Sequence, residues 1–518
     1  MRVNKRENRD CSELKPAQRR RGGVLLAAAV LMPLVILLAL RALNVPLGCP
    51  GRFVYLYSPP PVAGWRAAMV PFAAVIGAGL GLAIWLMSAD DRARRVLGFV
   101  LLAGGSLALG VWTYVAPPDH AVQHAFNMQS PSQDGAFLLE AFKFEHARDY
   151  LRAFPERAGT PAELMRGTRI ISNPPGMTML AYLCRRLNEA APPLANYLQR
   201  QFQVNDVDDP RPFLETASAG LLFTWVLTGV WLLAGVFLYR LGRLFFDPPV
   251  AGALCVCLLF SPTTLLFTPG KDTAQLLTAA VALWLWFLAW HRKSAWLAAA
   301  AGAAFTLSSV VSLVHVWLAA IALAAVFVCR PWQWRSLAGH LVAPALAGAV
   351  AAGALAYISC GLNIPATLVA VARSQAAVTR GADAMPWLWQ SLGVPLFLLL
   401  AGPAFWTACL SMRRIGAEVT PRGSDHRMGL GMLLSTLLVL IATVGFTNIE
   451  TPRLWIPFSI PLLLGIALLS DAVRRPERRA RVFLALLVAV QIAGSALIWA
   501  LLDCREAEHR LLEGRLFW

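Results

Sequence analysis

Thr216–Tyr239 reads TASAGLLFTWVLTGVWLLAGVFLY, a run without one charged side chain, closed by Arg240 and Arg243. A helix needs about 20 apolar residues to cross the hydrocarbon of a bilayer, where every backbone N–H and C=O must be satisfied within the segment. The same pattern recurs along the chain. Thirteen apolar segments are legible, at about 23–43, 67–87, 96–115, 216–239, 249–268, 273–290, 295–311, 312–329, 337–357, 390–411, 428–446, 453–470 and 482–502. Composition agrees: 57% of the 518 residues are hydrophobic and 14% charged, and the mean hydropathy is +0.57. That is more apolar surface than a soluble chain of this size buries. The expected fold class is an all-α polytopic membrane protein of about thirteen transmembrane helices, with amphipathic surface helices in a large outer loop. The seventh and eighth segments run together through Thr306-Leu307-Ser308-Ser309. That junction fits two short helices or a re-entrant pair, with one long tilted helix as the competing reading.

The net charge of +17 does not imply a nucleic-acid partner, because the basic residues gather in short segments between apolar blocks. Arg19, Arg20 and Arg21 precede the first block, and Arg92, Arg94 and Arg95 follow the second. His291, Arg292 and Lys293, then Arg330 and Arg335, then Arg413, Arg414 and Arg422, then Arg474 to Arg481 fall on the same side if every block crosses. Short cytoplasmic loops carry such an excess. The expected location is the cell's inner (plasma) membrane, with a cytoplasmic N-terminus, an uncleaved first span and the large loop outside. The nine cysteines are scattered, and neither a metal-binding pair nor a disulfide framework is legible.

The outer face then collects residues 116–215, Pro269-Gly270-Lys271-Asp272, residues 358–389 and the stretch from Thr447 to Arg453. Polar groups at a membrane boundary are costly and need a reason. Within the long loop, Gly135–Phe154 has helical apolar spacing interleaved with Lys143, Arg148 and Arg152, which predicts an amphipathic helix lying on the membrane surface. A second is predicted at Gly176–Leu187, with Arg185 and Arg186 placed to complement its C-terminal dipole. Residues 199–213 read as a solvent loop. Asp134 stands at the start of the first helix, as an N-cap, as a carboxylate available for chemistry, or as both. Asp119, His120 and His124 form a local cluster; the two histidines share a helical face, yet they read more simply as interfacial residues and no metal is assigned to them. Trp387 and Trp389 read as interfacial anchors.

Three short elements carry a resemblance. Asn173-Pro174-Pro175-Gly176, Pro269-Gly270-Lys271-Asp272 and Glu450-Thr451-Pro452-Arg453 share one expected side and a fixed order. With Asp134 after an early core span, they resemble the GT-C superfamily of glycosyltransferases, in particular the bacterial RgtA/B/C/D-like type. The resemblance covers residues 96–470. It leaves residues 1–95 as a cytoplasmic N-terminus and two additional spans, and 471–518 as a basic cytoplasmic loop and last span. Asn173 stands where His is common in the family, and Asp134 is a lone acid where some relatives carry Asp-Glu.

The resemblance implies inverting transfer of a sugar from a polyprenyl-phosphate donor to a glycan, lipid or protein acceptor of the envelope. Asp134 would then be the base, and Asn173, Lys271, Asp272, Glu450 and Arg453 the residues that bind substrate. No cofactor is assigned, and a divalent cation stays open. Such chemistry needs a base for the acceptor hydroxyl and cations for the departing phosphate; Arg offers a planar fork and Lys a point charge. Arg453 equally suits snorkelling at a span edge or pairing with Glu450. Lys271 and Asp272 equally suit a solvated turn, and Asn173-Pro174-Pro175-Gly176 a rigid turn that launches a helix. Arg373 and Arg380 are weaker phosphate candidates. The other function classes are a multi-span transporter or lipid-carrier flippase, and a non-catalytic scaffold of envelope assembly.

Overall fold

The computed structural model describes residues 31–45, 47–49, 53–57, 60–115, 134–158, 170–202, 211–381, 387–412, 423–447, 451–470 and 478–503. Helices account for nearly all of them. In chain order they are α1 (Leu31–Ala42), α2 (Pro60–Met87), α3 (Arg92–Val115), α4 (Gly135–Ala141), α5 (Ala147–Ala158), α6 (Gly176–Ala190) and α7 (Pro192–Gln199). There follow α8 (Arg211–Gly242), α9 (Pro248–Leu259), α10 (Pro262–Leu266), α11 (Lys271–Arg292), α12 (Ala295–Ser309), α13 (Val314–Cys329) and α14 (Ala343–Cys360). The last are α15 (Ile364–Gly381), α16 (Trp387–Leu400), α17 (Pro403–Met412), α18 (Gly423–Thr447), α19 (Ser459–Leu469) and α20 (Arg478–Leu501). Among the described residues, eight helical stretches are long and apolar enough to cross a membrane, and shorter apolar helices stand beside them. The chain is therefore a multi-pass membrane protein.

Eight of the predicted apolar segments coincide with these spanning stretches, and several segments differ from the sequence reading in their continuity. The seventh and eighth segments form two helices, α12 and α13, separated at Val310–Leu313. The segment at 390–411 is not one helix: it breaks between α16 and α17 at Gly402, whose φ of +89° leaves the right-handed helical region. Residues 249–268 likewise break between α9 and α10, where the Ser261 hydroxyl caps α10 by accepting from Thr264 N–H. The stretch at 358–389 is not an open loop, since it contains α15, which buries Ile364 and Val371. An element absent from the sequence reading is a small antiparallel ribbon of β1 (Leu47–Cys49), β2 (Phe53–Tyr57) and β3 (Leu502–Asp503), which joins the stretch before α2 to the end of α20.

Glycines set the closest helix crossings. A Cβ at Gly302 of α12 would lie 1.8 Å from the Ala345 carbonyl oxygen, and one at Gly348 of α14 would lie 1.9 Å from that of Ala299. Helices that share a lipid solvent gain stability from such close approach rather than from water exclusion.

Two cores result. The larger fills the membrane bundle and includes Trp231, Phe260, Phe287, Trp455 and Phe458. The second holds the surface helices onto the bundle: Phe137, Tyr150, Phe154 and Met177 pack with Phe223 and Leu227 of α8, Ala274 of α11 and Val371 of α15. The N-terminus of α11 thus lies beneath the surface layer.

The predicted helix over Gly135–Phe154 is two helices, α4 and α5, with a break at Phe142–His146. The cause is Arg185 of α6. Its guanidinium donates to the carbonyl oxygens of Ala141 and Phe144, both at 2.9 Å, and so satisfies backbone acceptors where α4 ends. Arg185 is buried and paired with Glu145 and Glu189, both at 2.6 Å, instead of complementing a dipole at a free helix end. Phe144 is sandwiched between Tyr150 and Tyr182, with ring centroids 4.1 and 5.2 Å apart. Buried Glu140 of α4 takes Lys143 at 3.2 Å and also Arg157 of α5, which fastens the two helices together.

Candidate functional site

The site forms where the surface layer meets α11. Gly270, the residue before α11, has no side chain to cap the helix. Asp134 supplies the cap from across the fold: its Oδ2 accepts the Lys271 N–H at 2.7 Å. A carboxylate there satisfies an orphan donor and meets the positive end of the helix dipole. Asp134 immediately precedes α4, as the sequence indicates, but its side chain makes no capping bond to that helix. The N-cap reading therefore holds for a different helix.

Asn173 enters from the turn before α6. Its Oδ1 accepts from the Lys271 ammonium at 2.5 Å. The turn itself is pinned by backbone: the Gly176 N–H donates to the Val310 carbonyl in the break between α12 and α13, at 2.8 Å. A Cβ at Gly176 would stand 2.6 Å from that same oxygen, so only glycine permits the approach. Asn173-Pro174-Pro175-Gly176 does launch α6, and it also delivers Asn173 to the α11 terminus.

Asp272 completes the group. Its Oδ1 lies 3.3 Å from Lys271 Nζ, its Oδ2 lies 3.1 Å from Arg453 Nε, and Gln275 Nε2 donates to Oδ1 at 3.0 Å. Lys271 and Asp272 thus form a buried pair at the head of a helix, not a solvated turn. Arg453 sits in the short turn Thr451–Leu454 that precedes α19, and its described carboxylate partner is Asp272. Aromatic rings back both cations: Lys271 Nζ lies 5.9 Å from the Phe137 ring and the Arg453 guanidinium carbon 6.0 Å from Phe267. Asp134, Lys271, Asp272 and Arg453 are each less than a tenth exposed. Two carboxylates balance two cations, which is the condition for keeping charges out of water.

Of the residues singled out in the sequence, Asp134, Asn173, Lys271, Asp272 and Arg453 meet here, from four separate stretches of chain. Arg373 is exposed on α15 and takes no part in this group. Glu450, the cluster of Asp119, His120 and His124, and the side chains of Arg380, Trp387 and Trp389 lie outside the described residues. Gln275 was missed. Its signal is a polar side chain one helical turn after Asp272 within an apolar span. His315 was missed for the same reason: it is buried on α13 and meets the Thr278 hydroxyl of α11 at 2.8 Å through Nε2, while Nδ1 faces the Ser312 carbonyl at 3.1 Å. A carbonyl can only accept, so Nδ1 carries a proton.

Electrostatics in the surface layer favour ionised pairs. The hydrogen bond and charge of Arg185 hold the Glu145 carboxyl below the ordinary glutamate value. Burial opposes the charge on Arg185, but Glu145 and Glu189 outweigh it and push the guanidinium up. Burial alone pushes the Cys184 thiol up to about 12. Among the described residues, no group of three or more His, Cys, Asp or Glu side chains converges to hold a metal ion.

The arrangement offers one carboxylate fixed by a backbone donor, an ammonium and a guanidinium oriented by a second carboxylate, and an amide beside them. It suits recognition of an oxyanion next to a proton acceptor. No protein-family description, curated protein or solved structure matches this chain.

Proposed function

We propose that this chain is a membrane glycosyltransferase of GT-C type. In this reading it transfers a sugar from a polyprenyl-phosphate donor to an envelope glycan, lipid or protein acceptor on the non-cytoplasmic face, with inversion. The observation that carries the reading is the convergence of Asp134, Asn173, Lys271, Asp272 and Arg453 on one helix terminus under an amphipathic surface layer. Asp134 acts as base toward the acceptor hydroxyl. Lys271 and Arg453 take the charge that develops on the departing phosphate, and Asp272 with Gln275 keeps both cations in place before substrate arrives. Preorganised charge of this kind costs no rearrangement during the reaction. Glu450, three residues before Arg453, belongs to the same outer element in this reading.

The proposed topology is thirteen crossings with a cytoplasmic N-terminus in the inner membrane. The ribbon supports an odd number of crossings: β3, which follows α20, pairs with β2, which lies between α1 and α2. The end of α20 and the first outer loop then share a side. The Arg453–Asp272 contact and the Arg330–Trp290 contact lie at opposite ends of α11, as the charge pattern requires.

The test is transfer in proteoliposomes. Purified protein is given radiolabelled polyprenyl-phosphate sugars with envelope lipid and glycan acceptors. Turnover with one donor, reduced at least about 100-fold in Arg453→Gln, supports the reading. Absence of transfer across the panel, or turnover that ignores Arg453→Gln, overturns it.

One observation favours a transporter or lipid-carrier flippase as the second reading. The breaks at α9–α10 and α16–α17 adjoin one another, since Thr263 Oγ1 donates to the Leu400 carbonyl at 2.7 Å and the Gln491 amide accepts from Ala404 N–H at 2.8 Å. Paired broken helices are a transporter feature. Movement of labelled donor across the bilayer without transfer selects that reading.

A further inference from the structure

The end of α11 remote from Lys271 carries a different kind of charge. α11 has 22 residues, so this rim lies about 33 Å from the site. Here Arg330 stands over Trp290 at 5.5 Å, Arg427 over Trp332 at 4.7 Å and Arg335 over Trp334 at 5.3 Å. Near the site, Lys143, Arg157, Arg185, Lys271 and Arg453 each hold a carboxylate. On this rim, Arg292, Lys293, Arg330, Arg335 and Arg427 form no ion pair with a described carboxylate. The sequence contains no Asp or Glu from residue 273 to residue 382. Among the described residues, Arg330, Arg335 and Arg427 are therefore oriented by indole rings and hold no carboxylate.

The helix that ends just before Arg330, α13, and the helix that carries Arg427, α18, are packed tightly. A Cβ at Gly431 of α18 would lie 3.0 Å from Ala325 Cα on α13. Following Arg427 along α18, Leu430, Leu434, Leu438 and Ile441 are exposed at helical spacing, the last two by 67% and 66%. A charged head position thus leads directly into an apolar track.

We propose that Arg330, Arg427 and Trp332 bind the phosphodiester headgroup of an anionic phospholipid, with an acyl chain laid along Leu430, Leu434, Leu438 and Ile441. The two guanidinium groups attract the phosphate, the indoles sit at headgroup level, and the track takes the tail. The site is independent of the chemistry at Asp134.

The experiment exchanges the full chain into nanodiscs of phosphatidylcholine with phosphatidylglycerol, then counts lipids retained through mild delipidation by native mass spectrometry. The expected result is enrichment of phosphatidylglycerol in the wild type, reduced about fivefold in R330Q or R427Q alone and about thirty-fold in the double variant. W332A, which removes the ring orienting Arg427, should reduce enrichment severalfold and serves if the double variant does not fold. R92Q/R94Q removes two exposed cations at the start of α3 and should leave the enrichment unchanged. Equal retention of both lipids overturns the proposal. So does an equal loss in R92Q/R94Q, which marks diffuse attraction, or displacement by millimolar inorganic phosphate, which marks an anion site without a lipid.

Discussion

Gly176→Ala is the substitution that most sharply probes how the site is held. The added Cβ would meet three atoms of main chain: Val310 O at 2.6 Å, Val310 C at 3.0 Å and Val311 Cα at 3.1 Å. Main chain cannot rotate away as a side chain can, so the turn must retreat by several tenths of an ångström. The retreat stretches the Gly176 N–H to Val310 O bond, now 2.8 Å, and draws Asn173 off the Lys271 ammonium. Overpacking costs about 1–3 kcal/mol and loss of one hydrogen bond about 0.5–1.5 kcal/mol, so the expected destabilisation is about 1.5–4.5 kcal/mol. Gly229→Ala on α8 is the control. A Cβ there meets nothing within 4 Å, and alanine favours the helix by about 0.5–1 kcal/mol. Equilibrium unfolding of the purified variants in one detergent gives both values. If Gly176→Ala is as stable as Gly229→Ala, the Pro-Pro-Gly turn is not docked on the α12–α13 break and the positioning of Asn173 loses its basis.

Three other outcomes follow from charge and burial. Asp272→Asn leaves the ammonium of Lys271 and the guanidinium of Arg453 buried without their shared carboxylate, at an expected cost of about 3–5 kcal/mol; adding Arg453→Met should recover at least about 1 kcal/mol of this in a double-mutant cycle. Arg185 lowers the Glu145 carboxyl from 4.5, so the stabilisation is present above that pH and is lost as pH falls through the still lower folded value. The difference in melting temperature between wild type and Glu145→Gln should accordingly be present at pH 7 and close in acid; a difference independent of pH contradicts it. With its thiol pushed up to about 12 by burial, Cys184 should resist maleimide at pH 8 in the folded protein and react once denatured, as read by mass spectrometry of its peptide.

The membrane helices were legible because a bilayer demands long apolar runs, and Thr216–Tyr239 needs no partner to declare itself. The residues of the site were legible as polar groups at span ends. Their partnerships were not, because these reach far along the chain. Asp134 and Lys271 stand 137 positions apart, and proximity in sequence assigns Asp134 to α4 instead of α11. The break between α4 and α5 is equally remote in origin: periodicity runs unbroken through Gly135–Phe154, and only Arg185, from α6, shows why the backbone turns. Lys271-Asp272 after Pro-Gly reads as a solvated turn because sequence does not reveal the surface layer above it. The ribbon carried a local signal in the aromatic and β-branched content of FVYLY in β2, but its partner strand β3 comes from the far end of the chain.

The central claim is that Asp134 both caps α11 and serves as the base, and Asp134→Asn separates the two. Asparagine keeps an oxygen to accept the Lys271 N–H but removes one of the two carboxylates that balance the buried cations, so the variant should fold and lose less stability than the about 3–5 kcal/mol expected of Asp272→Asn. It cannot take a proton, so transfer from the polyprenyl-phosphate donor in proteoliposomes should fall at least about 100-fold. A folded Asp134→Asn protein that transfers sugar at the wild-type rate contradicts the account.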